Sequence, residues 1–251
     1  MFMRLVQAKA KPAELMRLRR YYDDTVVRSL QKTQGCLHAV LLQSTRASDE
    51  VISLTLWENE ALAKAYEESG LFGRLMDEAR PMLADSSEWR VELSKDLKLE
   101  QVPVPLEPTV KAYPIAVMSR ELNSHQERPA DLFLRIVSVR LKPEKRKEFE
   151  TLYLHEIIPA LHDTPGCRHA YLLAPAGQDP DALSVTVWES KTAADDYERT
   201  GRFAELVDKV KHTFTDLFQW RMTLDHDHKQ TATSDDIMVD RYHVMAGKRL
   251  G

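Results

Sequence analysis

SLTLWE at residues 53–58 recurs as SVTVWE at residues 184–189, which lie 131 positions further along the chain. The same shift matches GCLHAVLL at 35–42 with GCRHAYLL at 166–173. Over about 92 positions aligned without a gap, roughly 30 are identical. Self-similarity at one fixed shift is typical of a duplicated structural unit. The sequence therefore predicts two copies of one fold within its 251 residues.

Each copy follows the pattern β-α-β-β-α-β. Apolar-rich runs at 3–10 and 134–141 end at Lys-Pro, which favours a strand that leads into a helix, because the first helical turn accepts proline. The helix that follows has an apolar stripe at a spacing of four residues. Its members are Leu18, Tyr22, Val26 and Leu30, matched by Phe149, Tyr153, Ile157 and Leu161.

A glycine interrupts the second helix of each copy. The pattern predicts this helix over 59–84 and 190–215. We expect a break near Gly70 and Gly201, because glycine weakens a helix interior by roughly 1 kcal/mol.

The third strand of each copy alternates aliphatic residues with Ser, Thr and Trp. A period of two places the two sets on opposite faces of the sheet. We expect the helices to cover the aliphatic set, which comprises Ile52, Leu54, Leu56, Leu183, Val185 and Val187. The face that the helices leave uncovered then carries Ser53, Thr55, Trp57, Ser184, Thr186 and Trp188.

The predicted fold class is α+β, with two ferredoxin-like repeats. Trp89 and Trp220 are expected to begin a closing strand in each antiparallel sheet. With both helices on one face, each sheet needs cover for its other face. We therefore expect the two sheets to pack face to face as an intramolecular dimeric α/β barrel. The predicted domains are a first repeat at 1–95, a linker or arm at 96–131, a second repeat at 132–225 and a C-terminal arm at 226–251.

Composition excludes several classes of function. A net charge of -4 provides no basic strip, so nucleic acid is not an expected partner. No apolar run approaches the roughly 20 residues needed to cross a bilayer, and no signal peptide is evident at the N-terminus, so a cytoplasmic protein is expected. The two cysteines, Cys36 and Cys167, do not suggest a disulfide framework and are predicted to be buried thiols.

Three motifs resemble those of the antibiotic biosynthesis monooxygenase family of dimeric α+β barrel proteins. They are the QGC and PGC turns before the second strand, the Trp-Glu that ends the third strand, and the run Tyr-x-x-(Ser/Thr)-Gly-x-Phe at 66–72 and 197–203. The resemblance covers about three quarters of the chain, and its motifs are more diagnostic of fold than of chemistry. It implies cofactor-free oxygenases of quinols and polycyclic phenols, heme-degrading enzymes, or proteins without known activity. Most members pair two single-unit chains, whereas here the pair is fused into a pseudo-dimer, with further homodimerisation left open.

The leading interpretation is an oxidoreductase of the monooxygenase type that acts on a small quinol or phenolic aromatic. Alternation in the second strand predicts that His38 and His169 face the barrel interior beside the tryptophans, together with Cys36, Cys167 and Tyr171. A neutral imidazole suits proton abstraction near pH 7, so the histidines are the candidate bases. The predicted substrate-binding set is Trp57, Trp188, Ser53, Thr55, Ser184, Thr186 and Tyr171.

Two alternatives remain open at this point. The histidines and tryptophans could be packing residues of a non-catalytic protein that binds or senses a small molecule, including a heme-related one. The linker and the C-terminal arm could join pseudo-dimers into larger assemblies. Each alternative keeps the fold and changes only the chemistry.

Heme chemistry is disfavoured by what the resemblance implies. In the heme-degrading branch, the tryptophan works with an asparagine on the first strand and a histidine ligand on the second helix. The asparagine position falls at or near Val6 and Val137, and the histidine position at Met76 and Val207. No cofactor and no metal are therefore predicted.

Overall fold

The computed structural model of this chain describes residues 1–84, 88–93, 99–104, 109–118, 132–173, 181–215 and 239–249. Its backbone contacts divide the chain into two compact units. Residues 4–111 and 245–251 form the first unit, and residues 1–3 and 112–244 form the second. Each unit contains one of the two predicted repeats.

The first repeat contains three strands and two interrupted helices. Its elements are β1 (Phe2–Lys9), α1 (Leu15–Tyr21), a π-helical segment (Tyr22–Val27), α2 (Arg28–Leu30), β2 (Cys36–Ser44), β3 (Glu50–Trp57), α3 (Glu60–Glu68) and α4 (Leu71–Ala79). The strand order is β1-β3-β2, and β2 pairs with β3 in antiparallel register. Short 3-10 turns at Pro12–Glu14 and Arg80–Met82 flank the helices.

Between the two repeats lie three further strands. They are β4 (Glu88–Leu93), β5 (Leu99–Val104) and β6 (Thr109–Met118). The strand that begins near Trp89 was expected to close the first sheet, but β4 pairs with β5 in a separate two-stranded sheet. The predicted linker therefore contains two strands of its own. Trp220, expected at the same place in the second copy, lies outside the described residues.

The second repeat has the same elements as the first. They are β7 (Phe133–Arg140), α5 (Arg146–Leu152), a π-helical segment (Tyr153–Ile157), α6 (Ile158–His162), β8 (Cys167–Leu173), β9 (Asp181–Trp188), α7 (Lys191–Arg199) and α8 (Arg202–Val210), followed at the end of the chain by β10 (Val239–Arg249). The sheet of this unit has the order β10-β7-β9-β8-β6, with antiparallel pairing throughout. The predicted α+β class with two ferredoxin-like repeats is confirmed. The face-to-face packing of the two sheets stays a prediction.

Glycine occupies the two sharp turns of each repeat. Gly70, at φ +74°, separates α3 from α4, and Gly201, at φ +81°, separates α7 from α8, which confirms the predicted helix breaks. Gly35, at φ +78°, precedes β2, and its carbonyl oxygen accepts a hydrogen bond from the amide of Glu58 at 2.9 Å. A Cβ atom at Gly35 would lie 2.3 Å from Cδ1 and 3.0 Å from Cβ of Leu62. The β2 turn thus needs glycine for both its conformation and its space.

Gly35→Ala should destabilise the protein more than Gly70→Ala. Both positions have positive φ, which costs an alanine about 1–2 kcal/mol. Gly70 has open space around its missing Cβ, whereas Gly35 adds the overlap with Leu62, worth about 1–3 kcal/mol more. Urea unfolding of both variants would measure the difference. Equal losses of stability would show that the turn can shift away from Leu62.

Candidate functional site

A tyrosine of the first helix reaches across to the third strand in both repeats. The hydroxyl of Tyr22 lies 2.9 Å from Oγ of Ser53, and the hydroxyl of Tyr153 lies 2.8 Å from Oγ of Ser184. Both tyrosines belong to the predicted apolar stripe and are buried. The serines of the third strands therefore face the helices.

The tryptophans also lie under the helices. Trp57 is 0% exposed and stacks on Tyr66 of α3, with ring centroids 5.1 Å apart. Trp188 is equally buried and packs on Tyr197 of α7 at 4.9 Å. The prediction that the Ser, Thr and Trp set occupies the uncovered face is therefore wrong in both repeats.

Hydrogen bonds within the strand make this placement of polar groups possible. The indole Nε1 of Trp57 donates to Oγ1 of Thr55 at 2.9 Å, and Trp188 donates to Thr186 at the same distance. A buried N–H without an acceptor would be costly, and the threonine removes that cost. The indole N–H is accordingly not free to donate to a substrate. Substrate-binding roles for Thr55 and Thr186 lose support for the same reason.

The histidines lie on the opposite face of the sheet. His38 is paired with Leu56 across the strands, and cross-strand partners share a face. Leu56 lies between Thr55 and Trp57, so its side chain points away from theirs. His169 is paired in the same way with Val187. The structure thus separates both histidines from the tryptophans and removes the geometric basis for their predicted role as bases.

A register shift after the first residue of β2 explains part of the wrong prediction that histidine and tryptophan share a face. The shift lies between Cys36 and His38, and its counterpart lies between Cys167 and His169. Cys36 is paired with Trp57 and so faces the helices, although strict alternation would place it with His38. Such a bulge inserts one residue and reverses the alternation on one side of it. The predicted inward orientation of the cysteines is wrong, whereas their predicted burial as free thiols is confirmed.

Tyr171 shares the face of His169 and not that of the cavity described below. It is paired with Val185, and its ring lies 6.2 Å from the imidazole of His169 in a stacked arrangement. A substrate held against Trp188 could not contact this ring across the sheet. A role for Tyr171 in binding such a substrate is therefore not supported.

Each repeat has a small cavity between its sheet and its helices, which we call the helix-side cavity. The first has a volume of about 70 Å³ and the second about 60 Å³. Both are lined mainly by apolar side chains, with the Tyr–Ser hydroxyl pair as a polar group on the wall. Among the described residues, no histidine, aspartate or glutamate lines either cavity. The lining fits a small, largely apolar ligand.

A buried arginine beside each cavity is a feature that sequence reasoning missed. Arg4 is 2% exposed, and its Cζ lies 4.7 Å from the centroid of Phe72 and 5.5 Å from that of Tyr66. Its guanidinium pairs with Glu67. The signal was present, because a charged residue recurs at the same place in two otherwise apolar strands, FMRLV and FLRIV.

Arg135 repeats this arrangement in the second unit. Its Cζ lies 4.7 Å from the centroid of Phe203 and 5.2 Å from that of Tyr197, and it pairs with Glu198 at 3.5 Å. Cation–π contacts of this kind contribute most when the cation is removed from water. Burial lowers the pKa of Arg135, yet a guanidinium remains charged near neutral pH.

Burial also shifts the pKa of other titratable groups on the face of the sheet that the helices cover. It raises the pKa of the Cys36 and Cys167 thiols from 9.0 to about 12. It likewise raises the pKa of Tyr22 and Tyr153, against the opposing effect of their serine hydrogen bonds. The tyrosines are therefore neutral hydroxyl groups at physiological pH, and the thiols are protonated and poor nucleophiles.

The positions implied for heme chemistry lie at the same cavities. Val6 and Met76 line the first cavity, and Val137 and Val207 line the second. Three of these four side chains have no atom that can bind iron, and the thioether of Met76 packs against core residues. In addition, no group of three potential metal-binding side chains occurs among the described residues. These four positions therefore do not provide the histidine ligand and the asparagine that the heme-degrading branch uses.

A family model for antibiotic biosynthesis monooxygenase matches residues 1–78 and again 132–209, together more than half of the chain. The chain belongs to this family. Its two copies of the domain account for the repeat described above. No curated protein sequence matches the chain. Among the helices of the described residues, none combines the length and apolar character that crossing a bilayer requires.

Several solved structures have the same fold at low sequence identity. A "putative monooxygenase" from Lactobacillus acidophilus has a TM-score of 0.68 and 9% identity, over 100% of this chain and 96% of its own. A protein of the same description from Fusobacterium nucleatum has a TM-score of 0.69 and 9% identity, over 100% and 94%. An anthrone oxidase-like protein has a TM-score of 0.56 and 13% identity, over 100% and 93%. At such identities the likeness concerns the fold alone.

The free energy of unfolding should be level below about pH 9 and fall as the pH rises towards 12. The unfolded chain releases its thiol protons near the ordinary pKa of 9.0, whereas the folded chain retains them to about 12. Stability then declines by up to about 1.4 kcal/mol per pH unit for each thiol. Urea titrations at pH 8, 9 and 10 would measure this, with the Cys36→Ala/Cys167→Ala variant giving a shallower decline. The same slope in both proteins would show that the thiols do not carry the effect.

Proposed function

We propose that this protein is a cofactor-independent monooxygenase that oxidises a small quinol or phenolic aromatic in its helix-side cavities. The observation that carries the proposal is the hydroxyl pair on an otherwise apolar wall, formed by Tyr22 with Ser53 and repeated by Tyr153 with Ser184. Pockets with apolar walls and a few converging polar groups are typical of small-molecule sites. Family membership supports the choice of an oxygenase.

The hydroxyl pair would bind the ring hydroxyl of the substrate. Tyr22 and Ser53 together carry two hydroxyl protons, and the hydrogen bond between them uses one. The second proton can be donated to a phenolic oxygen, and this donation strengthens as that oxygen becomes an anion. Because no carboxylate or imidazole of the described residues lines the cavity, we propose that the substrate proton leaves to water. The electron-rich anion then reacts with dioxygen.

The reaction balances without an external reductant. A quinol and dioxygen give a hydroxyquinone and water, with one oxygen atom entering the ring and the other leaving as water. The four electrons come from the quinol itself. A reaction without a metal suits a cavity wall that offers hydroxyl groups. No group of three potential metal-binding His, Cys, Asp or Glu side chains occurs among the described residues.

The size of the cavities limits the substrate to about one ring. In an engineered protein, benzene occupies a cavity of about 150 Å³. The first helix-side cavity, at about 70 Å³, is smaller. Binding therefore requires the half-buried side chains of Phe72 and Met76 to move outward. Methionine adapts readily to such changes, because its side chain is unbranched and has three rotatable bonds.

The same small volume favours a second candidate function. A cavity that opens only partly could bind a small aromatic molecule without admitting dioxygen in a reactive geometry. The protein would then be a non-catalytic binding or sensing protein. For either function we propose a cytoplasmic location, with which two free, buried thiols are compatible.

Oxygen uptake by the metal-free, full-length chain with methylhydroquinone distinguishes these functions. We expect uptake above the rate of spontaneous oxidation. The Tyr22→Phe/Tyr153→Phe variant should lose about tenfold in rate, equivalent to about 1.4 kcal/mol, because the hydroxyl donor is removed while the ring remains. Binding without any uptake would favour the non-catalytic function.

The His38→Ala/His169→Ala variant tests where the reaction takes place. Both histidines lie on the face of the sheet away from the helix-side cavities. A loss of uptake in this variant, with the tyrosine variant still active, would contradict the proposed site.

A further inference from the structure

The two helix-side cavities differ in how their outer walls are covered. Phe72 and Met76 of α4 line the first cavity and are half-buried. Their counterparts on α8, Phe203 and Val207, line the second cavity and are only 5% and 6% exposed. The outer wall of the first cavity is therefore closer to solvent than that of the second.

The residue types on the two walls differ in the same direction. Met76 has an unbranched side chain with three rotatable bonds, so it can turn away from the cavity at little cost. Val207 is branched at Cβ and has one strongly preferred rotamer in a helix. A ligand can therefore pass Met76 after a change of rotamer, whereas passing Val207 requires the backbone of α8 to move.

A tyrosine joins the first helix to α4 beside the first cavity. Tyr21 lines this cavity, and its hydroxyl donates to the carbonyl oxygen of Leu75 at 2.9 Å and lies 3.3 Å from Oε2 of Glu78. Both acceptors belong to α4. Burial, together with the nearby carboxylate of Glu78, raises the pKa of Tyr21, so the hydroxyl retains the proton that it donates. The contact holds α4 against the first helix at the less covered wall.

The second repeat has a hydrocarbon side chain at the corresponding position. The shift of 131 residues matches Tyr21 with Leu152, which packs against the buried core of the second unit. A leucine side chain has no hydroxyl and cannot donate to a helix carbonyl. The hydrogen bond of Tyr21 thus distinguishes the first repeat from the second, and it occurs where the cavity wall is more exposed.

The two ends of α4 indicate which part of this helix can move. Gly70 joins its N-terminal end to α3 at φ +74°, and glycine has wide conformational freedom. Just beyond the C-terminal end, the carbonyl oxygen of Met82 accepts from the amide of Lys11 at 2.9 Å, and the amide of Ala84 donates to the carbonyl oxygen of Lys9 at 2.8 Å. The C-terminal end is therefore anchored beside the first strand, and the end that begins at Gly70 can move outward.

We propose that the first helix-side cavity is the one that small aromatic molecules enter from solvent, and that Tyr21 controls their entry. When its hydroxyl releases α4, the helix moves outward and Met76 turns aside, so that a ring can pass between α4 and the first helix. The proposal rests on the proposed function for its class of ligand. Tyr21 acts through α4 and is in this sense a positioning residue.

Exchange of 4-fluorophenol with the full-length protein, measured by fluorine NMR, tests the role of Tyr21. Tyr21→Phe keeps the ring and removes the donor. We expect it to raise the rates of association and dissociation about fivefold, the factor that one net hydrogen bond supplies. The dissociation constant should stay nearly unchanged, because the contact is lost from the free and the occupied protein alike. Tyr21→Leu, which introduces the residue of the second repeat, should raise both rates at least as much.

Cavity-filling variants identify the cavity that the probe occupies. Val6 and Val137 line the first and the second cavity at corresponding positions. Val6→Met should abolish binding, and Val137→Met, its matched control, should leave the affinity and both rates unchanged. If Val6→Met does not fold, Ala79→Val fills the same cavity with the residue that the second repeat carries at Val210, and it should weaken binding.

Three results would overturn the proposal. One is loss of binding in Val137→Met with retention in Val6→Met, and another is a probe that does not bind to the unaltered protein. The third is an association rate in Tyr21→Phe equal to that of the unaltered protein. If the affinity fell while this rate stayed the same, Tyr21 would bind the ligand and not control its entry.

The outcome can be separated from that of the proposed function, because exchange of a bound probe involves no oxidation. Exchange that depends on Tyr21, without uptake of oxygen with methylhydroquinone, would support the proposal and overturn the oxygenase. Uptake of oxygen with unchanged exchange in Tyr21→Phe would do the reverse.

Discussion

In both repeats a tyrosine on the first helix is hydrogen-bonded to a serine on the third strand, and this contact marks the face of each sheet that the helices cover. Tyr22 with Ser53, and Tyr153 with Ser184, bring the polar set of the third strand under the helices. The tryptophan four residues further along the strand must then lie on the same face, because strand side chains alternate with a period of two. The aromatic stack, the buried arginine and the helix-side cavity all follow from that orientation.

The chemistry available to the protein changes with this orientation. A face shared by histidine and tryptophan would have provided a base beside an aromatic wall, whereas the observed face provides neutral hydroxyl groups and a buried cation. Among the described residues that line this site, none is a base that could remove a proton. The site can lower the energy of an anion after the proton has gone, through hydrogen bonds. Oxidation by dioxygen alone requires such an electron-rich anion and no bound metal.

Much of the fold could be predicted from the sequence, because a gapless duplication supplies two independent versions of every pattern. The first three strands, the glycine-interrupted second helix and the glycine turns of each repeat were predicted at or near their observed positions. The strands at 99–104, 109–118 and 239–249 were expected to be a linker and an arm. Periodicity could show that Ser53 and Leu54 face opposite ways, but not which of them faces the helices, since both faces of the strand are buried. Two features decided this, and neither is visible in hydropathy: the partner that Tyr22 needs for its hydroxyl, and the bulge that places Cys36 and His38 on opposite faces.

Arg4 and Arg135 were overlooked because a lone charge in a strand is usually assumed to face water, whereas stacked aromatic rings and a glutamate accommodate it here.

The central claim is that small aromatic molecules bind between the helices and the sheet. The most direct measurement is an NMR experiment on methyl-labelled protein with phenol, in which magnetisation transfer from the ring protons of phenol identifies the nearest methyl groups. The account predicts transfer to the methyl groups of Leu75 and Met76, which line the first cavity. Transfer instead to Val40 and Leu54, which share the opposite face with His38, would contradict it.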